Sequence, residues 1–108
     1  MIYRLLFLFS FFLFGAHSAL AQREAPKTRI LFIYDASNSM NGTWQSGIKH
    51  KTAMQVLGRT VDSLNPVPNL EIALRVYGHQ KDYTKGQDCN DTKLEVPFAP
   101  NNAERIKI

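Results

Sequence analysis

Cysteine is nearly absent: Cys89 is the single one in 108 residues, so no disulfide can form within the chain. An odd cysteine in a secreted chain points to a free thiol, an intermolecular bridge or a partner cysteine outside these residues. A block of like charge is missing too. The 13 Lys and Arg and 9 Asp and Glu give a formal +4, spread without a basic cluster. That distribution makes no case for nucleic acid and little for a membrane surface. No G-x-S-x-G elbow surrounds Ser37 or Ser39, and no second carboxylate pairs with Asp35. Serine-nucleophile and glycosidase chemistries therefore find little support.

The longest apolar run is confined to the N-terminus. Arg4 precedes Leu5 to Phe14, and Ala19-Leu20-Ala21 follows with the small-x-small pattern of a cleavage site. The apolar core of about 10 residues is short of the ~20 that span a bilayer. The expectation is a signal peptide over residues 1–21 and a secreted or periplasmic protein, with membrane attachment only through an uncleaved signal. No cysteine lies near the cleavage point, so no lipid anchor is expected. Removing the leader takes Arg4 and five of the seven Phe, leaving 87 residues with 12 basic and 9 acidic side chains. That length allows one small domain and is thin for a layered α/β fold.

Residues 22–28 are polar, contain Pro26 and read as a linker. Ile30 to Tyr34 is an unbroken apolar run rich in β-branched and aromatic residues, which suits a strand buried on both faces of a parallel sheet. Met54, Leu57, Val61 and Leu64 recur at helical spacing, with Ile48 and Ala53 extending the stripe, Ser46 as N-cap and Asn65-Pro66 as the stop. Leu70 to Tyr77 alternates as a second strand that Gly78 breaks. Strand, helix, strand at this spacing is a βαβ unit with parallel strands. His79 to Asp91 is a polar loop, and Thr92 to Phe98 reads as an antiparallel outer strand, since Pro97 favours an edge strand or the end of one. Asn101-Asn102 would then cap a helix beginning AERIKI.

In this α/β architecture the stretch "LFIYDASNSMNG" carries the chemistry. Asp35, Ser37 and Ser39 lie past the carboxyl end of the first strand, where open α/β sheets bind ligands. In an extended loop, residues at i, i+2 and i+4 point the same way, so one carboxylate and two hydroxyls can converge. Such a set suits a hard cation, Mg²⁺ first, with Mn²⁺ or Ca²⁺ as alternatives. The competing reading is a polar turn after a strand.

"ILFIYDASNSM", the helix through Leu64 and the strand ending "LRVYGH" resemble the start of a von Willebrand factor type A domain. "VYGH…DCND…LEVPF" is similar to envelope-located bacterial members. The resemblance covers Arg29 to Ile108. It implies a doubly wound, Rossmann-like α/β fold, of which this stretch would be the first βαβ unit plus an antiparallel edge strand. It also implies a metal-ion-dependent adhesion site with Asp35, Ser37 and Ser39 as its first loop, the serines touching the ion and the Asp often acting through water. Family members add a Thr and an Asp from later loops. Thr43, Thr52, Thr60 and Thr92 lie in the wrong places for that Thr, so the remaining ligands are expected beyond residue 108, in a longer domain. Taken alone, residues 29–108 would leave a strand edge and a helix-packing face uncovered.

The expected activity is binding, not catalysis: an ion held at this loop would accept a carboxylate from a protein partner. Alternatives are a metal-free scaffold domain of the same fold and an Asp-dependent hydrolase using Asp35. His79, Asp88 and Asp91 emerge on the metal-loop side as candidates for shaping ligand choice, against a reading as solvated loop residues. Trp44 either rims the binding surface or packs under the loop. His50 reads as a surface histidine, and His79 with Cys89 offers too few ligands for a structural zinc.

Overall fold

The computed structural model describes residues 24–107. The expected signal peptide and the first two linker residues, 22 and 23, lie outside that range. Among the described residues, no helix is long and apolar enough to cross a membrane.

The protein is mixed α/β. Strand β1 (Thr28–Asp35) leads through a short 3-10 helix (Asn38–Asn41) into a small hairpin, β2 (Thr43–Trp44) and β3 (Gly47–Ile48). Helix α1 (Lys49–Leu64), strands β4 (Leu70–Tyr77) and β5 (Thr92–Ala99) and the short helix α2 (Ala103–Ile106) follow. The main sheet has the order β1-β4-β5. β1 and β4 are parallel from Thr28 opposite Leu70 to Asp35 opposite Tyr77, while β5 runs antiparallel to β4. Because the parallel register holds to the last pair, the loops after β1 and β4 leave the sheet side by side.

The alternation read in β4 decides which face is core. Leu70, Ile72, Leu74 and Val76 are buried with Val96, Val61 of α1, and Ala103 and Ile106 of α2. Ile30, Phe32, Tyr34, Leu57 and Leu64 pack against them. Val61 is fully buried, so Val61→Ala removes two carbons from a closed site. The expected loss is about 2 kcal/mol, from transfer plus cavity, read by urea denaturation followed by circular dichroism.

Three expectations are corrected. β1 is an edge strand among the described residues, and its outward side chains Leu31 and Ile33 are 41% and 65% exposed. The unbroken apolar run therefore does not mean burial on both faces here, because α1 packs on one side alone. Ser46 is not the helix cap. It lies in the hairpin turn beside Gln45, whose φ is 55°, and Ile48 occupies the cap position with no side-chain bond. Asn102 stands before α2 without capping it. Its side-chain amide instead donates to the carbonyls of Ile72 and Pro97, both at 2.9 Å. The Ala103 N–H is taken by Asn65 Oδ1 at 3.2 Å, which ties the end of α1 to the start of α2.

Candidate metal loop and its crevice

The Asp35 side chain is anchored at the start of its own loop, where its Oδ1 accepts the Ser37 N–H at 2.8 Å. Burial pulls the Asp35 carboxyl upward, but the polar groups of Ser37 and Tyr77 and the nearby Lys49 charge outweigh it and hold it below the usual carboxylate range. Asp35 is thus an anion at neutral pH. The neighbouring Asp35 carboxylate, followed by burial, raises the Tyr77 hydroxyl above its ordinary value, so Tyr77 stays protonated.

Ser37 and Ser39 meet, though not by the extended-loop route expected from their spacing. Ser37 is extended (φ −63°, ψ 162°), and Ser39 lies inside the 3-10 helix that follows. The two Oγ atoms are 3.1 Å apart. That separation is close to the ~2.9 Å edge between neighbouring oxygens in an octahedron with bonds near ~2.05 Å. It is equally a hydroxyl–hydroxyl hydrogen bond. All three side chains present hard oxygen donors, so the loop fits a Mg²⁺-type ion in donor chemistry. Among the described residues, no three His, Cys, Asp or Glu side chains gather as a metal group. The Asp-Ser-Ser loop has a different composition, with one carboxylate.

A crevice of about 410 Å³ opens beside this loop, between it and residues 79–91, lined by Ser37, Tyr77, Lys81, Tyr83, Asp88 and Cys89. Asp88 stands on this crevice, with its carboxylate 3.0 Å from Lys81 Nζ and accepting the Asn90 N–H at 2.9 Å. Asp91 also borders the crevice but is 6% exposed. Its carboxylate turns inward onto backbone, accepting the Gln80 N–H at 3.1 and 3.0 Å and the Lys81 N–H at 2.9 Å. Asp91 is thus not a solvated loop residue. His79 turns away from Ser37. Its Nε2 lies 2.7 Å from Glu95, and it borders a separate hollow with Tyr34, His50 and Met54. His50 is exposed as expected, yet its Nδ1 meets the Tyr34 hydroxyl at 2.6 Å. Trp44 is 60% exposed on the hairpin, so it does not pack beneath the loop.

Gly78 is the site residue that sequence reasoning passed over. Its φ is +75°, and a Cβ there would lie 2.9 Å from Ser37 Cα and 3.0 Å from Ser37 N and Cβ. The glycine lets the two loops touch backbone to backbone. A glycine directly after a strand parallel to the one bearing the Asp-Ser-Ser loop was the available signal.

Comparison of the chain with protein-family models, with curated proteins and with solved structures found no match.

Proposed function

We propose that this chain carries the first metal loop of a von Willebrand factor type A domain, in a secreted or periplasmic module that binds a protein partner through a divalent cation. The observation behind it is the pair of hydroxyls, Ser37 and Ser39, 3.1 Å apart beside an ionised Asp35 at the carboxyl end of a parallel strand. Ser37 and Ser39 would hold the ion directly. Asp35, whose carboxylate already accepts the Ser37 N–H, fixes the loop and adds the negative charge. Two hydroxyls and one carboxylate leave the rest of an octahedral shell to water, further protein oxygens and the partner. With little protein charge around it, a bound divalent ion supplies an electrophilic position that accepts a partner's Asp or Glu.

The test is an Mn²⁺ titration of the full chain, followed by electron paramagnetic resonance, with Mg²⁺ as competitor. Asp35→Ala is expected to weaken binding by about 10- to 100-fold, the usual effect of losing a group that orients metal ligands. Mn²⁺ affinity that is absent in wild type, or equal in the two proteins, overturns the proposal.

The hydrogen bond between the two hydroxyls also satisfies them without an ion. This is the observation behind a second reading, a metal-free scaffold domain of the same fold. Partner binding that is unchanged by EDTA selects it.

A further inference from the structure

Residues 79–91 form a long polar loop, yet the turn nearest the metal loop is tied down by a single side chain. Asp91 is buried in a loop that is otherwise mostly exposed, and its carboxylate gathers the Gln80 and Lys81 N–H groups. Its own carbonyl accepts the Gly78 N–H at 2.8 Å, and its N–H reaches the Asp88 carbonyl at 3.2 Å. Asp91 therefore holds both sides of Gly78's turn: Gly78 through its main chain, and Gln80 and Lys81 through its side chain. Gly78 in turn rests on the Ser37 backbone, with no room for even a Cβ between them. On the other side of Ser37, the Ala36 N–H bonds the Tyr77 carbonyl at 2.9 Å, so the metal loop is joined to β4 just before that contact.

From this chain of contacts we infer that Asp91 is a positioning residue for the candidate cation site, setting the place of Ser37 through Gly78. The inference rests on the cation reading of the Asp35–Ser37–Ser39 loop. Asp91 does not touch the ion. A carboxylate accepting several backbone N–H groups is among the stronger hydrogen-bonded anchors, and it closes the turn without giving up a ligand oxygen. The position of Ser37 Oγ relative to Ser39 Oγ then depends on a residue in a different loop. Groups that orient metal ligands typically alter ion affinity by about 10- to 100-fold when removed.

The test uses the full chain and two readouts, Mn²⁺ affinity of the folded protein and the amide resonance of Ser37 without any ion. Asp91→Ala is expected to lower affinity by about tenfold or more and to shift the Ser37 amide. Asp91→Asn keeps an oxygen where Oδ2 accepts both N–H groups, so it should restore most of the affinity. Asp82→Asn serves as the control. It lies in the same loop, and its carboxylate bonds Thr84 alone, so neither readout should move. If the alanine variant fails to fold, Asp91→Glu displaces the carboxylate by one methylene while keeping its charge, and the same two changes are expected. A variant that loses stability while its Mn²⁺ affinity and Ser37 amide stay at wild-type values overturns the inference. If wild type binds no Mn²⁺, the cation reading fails on its own. The Ser37 amide then still decides whether Asp91 sets that loop.

Discussion

Asn102→Asp is expected to cost about 4 kcal/mol or more, enough to unfold much of a small domain whose whole stability is typically ~5–15 kcal/mol. Asn102 is 1% exposed, and its amide donates to the carbonyls of Ile72 and Pro97. These carbonyls need such a donor because the β4–β5 ladder is irregular between Ile72 and Leu74, and Pro97 has no N–H to offer in exchange. Aspartate is nearly the same size but replaces two donors with an acceptor. It would set negative oxygen against two carbonyl oxygens in a buried site. Asn102→Ala removes the bonds without adding charge and should cost less, about 2–3 kcal/mol, for leaving buried carbonyls unpaired. Urea unfolding of the three proteins by circular dichroism checks both size and order. Equal stability of the Asp and Asn forms would mean that water reaches this corner.

Gly78→Ala is the second large effect, about 2–3 kcal/mol. A left-handed backbone costs an L-residue ~1–2 kcal/mol, and the new Cβ would press on the Ser37 main chain, which has no flexible end to swing aside. Stability and site should fail together. The relief available is a shift of Ser37, which would spread the Ser37 and Ser39 hydroxyls from their 3.1 Å contact. Thermal melts and Mn²⁺ titration on the same samples test this. A destabilised variant with unchanged Mn²⁺ affinity would show that the loop moves as a rigid unit.

Features set by neighbouring residues were legible in the sequence. The alternation of Leu70, Ile72, Leu74 and Val76 identified the inner face of β4, and the spacing of Leu57, Val61 and Leu64 gave the packed side of α1. Asn65-Pro66 marked where α1 ends. Asp35, Ser37 and Ser39 were visible because strand, loop and donors are contiguous. What escaped depends on partners distant in the chain. Asn102 looks like a helix cap from its flanks, but its amide is claimed by an irregular ladder formed elsewhere. Gly78 looks like a strand breaker until Ser37 is placed against it. Ser46 lost its capping role because Trp44 and Gly47 pair into a hairpin too short to leave a hydrophobic pattern. Asp91 reads as a candidate for shaping ligand choice or as a solvated loop residue, and its burial, which neither reading contains, arises from the turn it closes.

The hairpin that displaced Ser46 also determines how these experiments must be observed. Trp44 is the sole tryptophan, and it stands 60% exposed on that hairpin, away from the core of Leu74, Val61 and Ile106. Its indole already meets solvent in the folded state, so its emission will change little when the core melts. Backbone-sensitive spectroscopy must therefore report unfolding. Tryptophan emission is left free as a local optical probe of the segment between the Asp-Ser-Ser loop and α1.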